Sequence, residues 1–349
     1  MTSPVNPRLL LKQKGGKQQL FDALSASGYV PQKQPFNFMC NAIYMASPFL
    51  IEGPRGGGKT AFPEALAKAL NLRIFTLPGL PDMTSDSILS SWDSAAQQHF
   101  VGMEAVKGTP LNEAMEKQWS FDFVKMGEVL DAFHYSSTTG EPCVLLIDEV
   151  DKLSQDAESA FLQILGRGFA NVPRLRPDSR VGFLPEMSAV AKTLAYPIVV
   201  LTSNDMRPLS SPLRSRCRYC FLPPPTLEEM TWILSVNVPT APGRLLSHTA
   251  KLLNGVSGLP LLEKPAVREF IELLKTFHAY GFTYLNAEMI ANNVDCLAKT
   301  KKDLEAVTDA VDSLFENFVN KPDEKIDNLV RRIIEEKAKK SSNSLAQTN

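Results

Sequence analysis

The stretch from Phe49 to Thr60, Phe-Leu-Ile-Glu-Gly-Pro-Arg-Gly-Gly-Gly-Lys-Thr, constrains this chain more than any other. Gly53, Gly58, Lys59 and Thr60 stand at the fixed positions of the G-x-x-x-x-G-K-[ST] pattern. Phe49, Leu50 and Ile51 form the short apolar run of a buried parallel strand. Phe62, Ala65, Leu66, Ala69 and Leu70 then recur at helical spacing. A glycine-rich turn between strand and helix lets successive backbone N–H groups face inward, and the helix N-terminus adds partial positive charge. The spacing therefore predicts a phosphate cradle from Gly53, Pro54, Arg55, Gly56, Gly57, Gly58, Lys59 and Thr60. Lys59 would reach the outer phosphates of a nucleotide such as ATP, and the Thr60 hydroxyl would complete a Mg²⁺ shell. Pro63 is compatible with a helix there only because first-turn N–H groups lack intrahelical partners.

Composition narrows what surrounds this loop. A chain of 349 residues with 44% hydrophobic content can bury ordinary cores in two or three domains. Its 37 basic and 38 acidic residues leave a formal net charge of −1, so non-specific nucleic-acid or membrane-surface binding is not expected. No apolar run approaches the roughly 18–20 residues of a membrane span. The first sixteen residues are polar and basic, without the apolar core of a signal peptide. Five scattered cysteines fit a reducing, cytoplasmic setting, and the single C-x-x-C at Cys217 and Cys220 lacks the second pair a metal site requires.

Along the chain, residues 1–17 read as a flexible lead, and two short helices follow before Pro48. A second strand is expected at Leu72–Leu77, and an irregular helical stretch at Val101–Thr139. Cys143–Ile147 is a continuous apolar run, as in a strand covered on both faces, and Asp148-Glu149 follow at its carboxyl end. Residues 168–195 form a long proline-containing connection. Tyr196–Leu201 is another buried strand, ending in Thr202-Ser203-Asn204-Asp205, and a short fifth strand is expected at Arg218–Leu222. Beyond Pro223-Pro224-Pro225 the pattern is helical, with the tail from Lys339 polar and disordered. The expected architecture is α/β, a parallel sheet between helical layers followed by a small all-helical domain. Its divisions are an N-terminal extension (1–34), the phosphate-loop domain (35–223), a helical domain (224–320) and a C-terminal helix with tail (321–349).

The acidic pair selects the chemistry. Asp148 at a strand end can hold the Mg²⁺ water shell, and Glu149 can take a proton from attacking water. Phosphoryl transfer to a metabolite needs no such glutamate, so hydrolysis is the expected reaction. Asn204 could orient the lytic water or touch the γ-phosphate, or it could simply make the turn at the strand exit. Arg214, Arg216 and Arg218 read either as a solvated basic turn or as a source of an arginine for a neighbouring subunit's site.

Together Gly53–Thr60, Val144–Glu149, Thr202–Asn204 and Ser215-Arg216-Cys217 resemble an AAA+ ATPase. Gly28–Pro31, Trp92-Asp93 with Gln97 or Gln98, Leu213–Tyr219 and Leu261–Glu269 are similar to the MoxR branch, over about residues 18 to 295. Within it the chain looks most like ATPases that help assemble carbon monoxide dehydrogenase and similar metalloenzymes. The resemblance implies Lys59 and Thr60 on phosphate and Mg²⁺, Asp148 on Mg²⁺, Glu149 as base and Asn204 as first sensor. It implies Arg216 as the finger acting on the neighbour's ATP, with Arg214 as second choice, and Arg268 as a lid sensor. It further implies a homo-oligomeric ring, usually a hexamer, a client protein, and a partner with a von Willebrand factor A domain. That partner must be another polypeptide, because no D-x-S-x-S motif occurs here. Residues 95–140 would carry an insertion, and 168–195 a hairpin. The stretch 173–195, with Arg174, Arg176 and Arg180, is more extended than the family pattern. The competing expectation is a nucleic-acid motor or loader, since the Ser-Arg-Cys element is shared with clamp loaders. The near-neutral charge and the lack of base-stacking aromatics weigh against it.

Overall fold

Five parallel strands carry the N-terminal unit of the computed structural model, which describes residues 3–346. In chain order the strands are β1 (Phe49–Glu52), β2 (Ile74–Pro78), β3 (Ser90–Trp92), β4 (Val124–Met126), β5 (Val144–Asp148), β6 (Phe169–Asn171), β7 (Arg180–Gly182), β8 (Ile198–Ser203) and β9 (Arg218–Phe221). The sheet runs β2-β5-β8-β1-β9, while β3–β4 and β6–β7 are separate two-stranded antiparallel sheets, the second of them a hairpin. The central strands are those whose sequences are continuously apolar. Val144–Ile147 and Ile198–Leu201 are buried on both faces, as strands with helices on either side must be. Edge strand β9 instead exposes Tyr219 and Phe221.

Register sets the functional end of the sheet. Ile147 lies opposite Leu201, Ile51 opposite Thr202 and Glu52 opposite Ser203. The exits of β1, β5 and β8 therefore finish level with one another, on the edge where α/β sheets bind ligands. Two compact units are present: residues 1–27, 33–54 and 58–222 form the first, and residues 28–32, 55–57 and 223–349 the second. The second unit is helical. Its core joins Leu245, Leu252, Phe270, Leu274 and Phe277 to Ile326 and Val330 of the last helix, so that helix is part of this unit's core.

Two local expectations differ from what is found. Residues 7–12 form a helix rather than part of a flexible lead, and the short helix expected before Gly28 spans residues 16–26. Asn6 caps the first of them, and Arg8, 1% exposed, donates to Ile43 O at 2.9 Å, Leu194 O at 3.2 Å and Tyr196 O at 2.6 Å. A basic, polar stretch reads as solvated, yet a guanidinium with several fixed donors can be buried where backbone carbonyls converge on it. Burial lowers its pKa to about 10, so it remains charged at neutral pH. Replacing Arg8 with Met is expected to lower the unfolding free energy by about 2 kcal/mol, measured by urea denaturation.

The connection 168–195 contains the hairpin that the resemblance implies, β6–β7, and a helix over Ala189–Ala195, and Arg174 and Arg180 are engaged within the unit. Arg174 lies 4.7 Å from the Trp119 ring centre, and Arg180 pairs with Asp178 at 2.8 Å and Glu186 at 3.2 Å. At the other end, helical backbone runs from Glu324 to Ala346, past the Lys339 boundary expected for a disordered tail. No Gly or Pro interrupts that stretch, and residues 347–349 lie outside the described residues. Among the described residues, no helix is long and apolar enough to cross a membrane.

Candidate nucleotide site

The phosphate loop is built from backbone conformations that side chains resist. Gly58 has φ +86°, in the left-handed region that glycine enters without a Cβ clash. Gly53 sits so close to β9 that a Cβ there would lie 2.3 Å from Leu222 O. The helix Ala61–Leu70 follows directly, its first turn directed back along the loop.

Lys59 is 7% exposed and donates to Gly53 O, Pro54 O and Asn204 Oδ1, each at 2.8 Å. An ammonium is buried without penalty only when its protons are engaged in this way. Asn204 continues the chain of contacts, since its Nδ2 donates to Glu149 Oε1 at 3.2 Å. One amide thus spans the cation of the phosphate loop and the carboxylate after β5. Thr60 Oγ1 donates to Asp148 Oδ1 at 3.0 Å, and the Thr202 hydroxyl donates to the same oxygen. Thr202 Oγ1 also accepts the Glu149 N–H at 2.9 Å. Glu149 needs that anchor, because its φ of 50° is uncommon for a residue with a side chain.

These contacts fit a nucleoside triphosphate with a magnesium ion. The loop glycines and Lys59 offer N–H and ammonium donors to phosphate oxygens. The paired Thr60 hydroxyl and Asp148 carboxylate are hard oxygen ligands of the kind Mg²⁺ takes. Glu149 carries a carboxylate with one face to Asn204 and the other to Lys152, and its side chain is 40% exposed, so water reaches it.

Two acids that sequence reasoning missed hold this arrangement in place. Asp151 is 3% exposed, and its Oδ2 accepts the backbone N–H groups of Asn204 at 3.1 Å and Met206 at 2.9 Å. Its other oxygen is buried with no hydrogen-bond partner among the described residues. Glu158, 1% exposed, accepts from Ser210 N at 2.9 Å and from the Arg207 guanidinium, which also donates to Leu153 O. The exit of β8 is therefore clamped by carboxylates from the segment after β5. Replacing Asp151 with Ala is expected to lower kcat for nucleotide hydrolysis by about tenfold, with nucleotide affinity nearly unchanged. Steady-state kinetics beside a nucleotide titration separates the two, since the loss falls on how Asn204 is held rather than on the phosphate loop.

The arginines lie elsewhere. Arg214 and Arg216 belong to the helix Ser211–Arg216, and Arg216 donates to Pro212 O at 2.9 Å with its side chain in solvent. Arg218 pairs with Phe49, the first residue of β1. The arginine helix therefore enters the sheet at the end opposite the one from which the phosphate loop leaves. Arg268 is exposed in the first turn of the helix Val267–Ala279 of the second unit. The preceding loop is held by Asp303, which accepts Leu262 N at 2.7 Å and Glu263 N at 3.2 Å.

Residues 48–217 match the family described as AAA domain (dynein-related subfamily). This segment is similar to AAA domains. With its five-stranded parallel sheet, phosphate loop and helical C-terminal region, the chain has the P-loop AAA+ fold. Among solved structures, a mutant of RuvB from Thermotoga maritima is 16% identical, covering 76% of this chain and 70% of that one at a TM-score of 0.44. A second Thermotoga maritima RuvB, described as a Holliday junction branch migration motor, is 16% identical over 76% and 69% at 0.40. At these values neither says what this chain does. No curated protein matches the chain.

Other residues of the first unit have structural duties. Asp93 caps the helix Ser94–Val106 through Ala96 N at 3.0 Å and pairs with Lys125 at 2.9 Å, contacts that together lower its pKa. Gln97 is buried and donates to Gln118 O at 2.8 Å. Both tie the insertion between β3 and β4 to itself. Burial pushes the thiols of Cys217 and Cys220 up to about 12 and about 11, leaving them protonated at neutral pH.

Proposed function

We propose that the AAA domain hydrolyses ATP with Mg²⁺ at the boundary between copies of the chain in a ring, and that the cycle remodels or activates a client protein in the cytoplasm. The observation that carries hydrolysis is the Asn204 side chain, which bonds Lys59 on one side and Glu149 on the other. Lys59 and the loop glycines hold the phosphates. Thr60 and Asp148 would hold the magnesium ion, whose charge would offset that of the phosphates. Glu149 takes the proton of the attacking water, and Asn204 fixes that carboxylate relative to the phosphate end. Arg216, with Arg214 as second choice, completes the site of a neighbouring copy. The placement of their helix at the strand-entry end of the sheet supports action in trans rather than on the chain's own phosphate loop. Arg268 is assigned as the lid arginine from the motif resemblance alone.

The MoxR-like reading adds the family's ring, a hexamer, and a partner bearing a von Willebrand factor A domain. Support comes from the motif set and from the absence of net basic charge, with a formal charge of −1. The Ser-Arg-Cys element at 215–217 also suits a nucleic-acid loader, and one assay separates the two. Steady-state ATPase is measured with a purified von Willebrand factor A-domain protein from the same organism, and separately with duplex and single-stranded DNA. The proposal expects stimulation by the protein and none by DNA. Strong DNA stimulation falling steeply with salt would replace it with the nucleic-acid reading.

A further inference from the structure

A groove on the helical unit carries a cluster of cations that the nucleotide chemistry does not use. It lies between the helices Gly243–Ser257 and Glu324–Ala346, with a volume of about 500 Å³. Gly243 lets the two helices approach, since a Cβ there would meet Ile334 Cδ1 at 2.6 Å. On the first helix Arg244, His248 and Lys251 fall at i, i+4 and i+7, so they share one face. Asp327 and Arg331, at i and i+4, face them from the other helix.

The groove thus holds three permanent cations to one carboxylate, and that carboxylate is already engaged. Asp327 accepts from Ser247 Oγ at 2.5 Å and from Lys251 Nζ at 2.9 Å. Lys251 is 5% exposed, an uncommon degree of burial for an ammonium. Neither Arg244 nor Arg331 has an ion pair among the described residues, and Arg244 instead rests 5.2 Å from the centre of the Tyr284 ring. His248 adds a directed donor. Its Nδ1 accepts the Leu285 N–H at 3.2 Å, which in the neutral ring puts the proton on Nε2. The lining is therefore rich in N–H donors and short of acceptors.

We infer that this groove is a binding site for a small phosphate-bearing anion, separate from the phosphate loop. Two guanidiniums and an imidazole N–H around a buried lysine offer charge-assisted bonds to several oxygens at once, and the volume exceeds what one phosphate fills. The site is built entirely within the helical unit and does not depend on the proposed hydrolysis.

The test is calorimetric titration of inorganic pyrophosphate at constant ionic strength into full-length protein carrying Lys59→Ala, which disables the phosphate loop. Saturable binding is expected, weakened about tenfold by Arg244→Ala and by Arg331→Ala added singly. Both side chains lie on the surface, so neither change removes core packing. Arg332→Ala, next along the helix and paired with Glu228, is expected to leave the affinity unchanged. Absence of saturable heat, binding indifferent to Arg244 and Arg331, or equal loss with Arg332→Ala would each overturn the proposal. Citrate binding in the groove while pyrophosphate does not would overturn its assignment to phosphate.

Discussion

Replacing Glu149 with Gln is expected to lower ATP turnover by about 10²–10⁴-fold, equivalent to about 3–5 kcal/mol of barrier, while ATP binding persists. Glutamine is close to isosteric and keeps a carbonyl oxygen for Asn204 Nδ2, which reaches Glu149 Oε1 at 3.2 Å. The anchor of the strained backbone is unaffected, because Glu149 N–H bonds Thr202 rather than its own side chain. What is lost is basicity, since an amide does not take a proton from water at neutral pH, together with a half-exposed ion pair to Lys152. Single-turnover hydrolysis beside equilibrium ATP binding resolves the two effects. Unchanged turnover would remove Glu149 from the base position.

The second large effect is expected at Arg216. On the proposed assignment, replacement by Ala removes a positive charge that meets transition-state phosphate in another copy's site, and losses of about 10³–10⁵-fold in kcat attend such arginines. Folding is expected to be unaffected, because the side chain is exposed and donates to Pro212 O within its own helix. A urea melt matching that of the unmodified protein, beside the ATPase rate, makes this distinction. The same replacement at Arg214 is expected to cost less. The reverse ranking would move the finger to Arg214.

Much of this was legible in the residues, for reasons that differ by element. The strands before Gly53, Asp148 and Asn204 announce themselves because burial on both faces demands unbroken apolar runs. Lys59, Thr60, Asp148 and Glu149 are legible because phosphate and magnesium chemistry fixes residue type and spacing. Asp151 and Glu158 were not. Each acts by accepting backbone N–H groups about fifty residues away, and such a bond leaves no periodicity in the chain. The one available signal was a pair of acids just after an acidic strand end, which reads equally well as a solvated helix start. Arg8 was hidden for a similar reason, since its partners are carbonyls of remote segments. The three-residue strands of the two small sheets are too short to show alternation. Trp92-Asp93 and Gln97, which carry part of the family resemblance, prove to cap and brace the insertion.

The claim that the site is shared between copies is tested most directly by mixing. Lys59→Ala protein lacks a working phosphate loop but offers an intact Arg216, and Arg216→Ala protein has the converse defect. Each alone is expected to be inactive. Equimolar mixtures are expected to recover a measurable fraction of the unmodified ATPase rate, because some boundaries then pair a sound phosphate loop with a sound arginine. A mixture no more active than its inactive components, with co-assembly of the two proteins verified, would contradict the account.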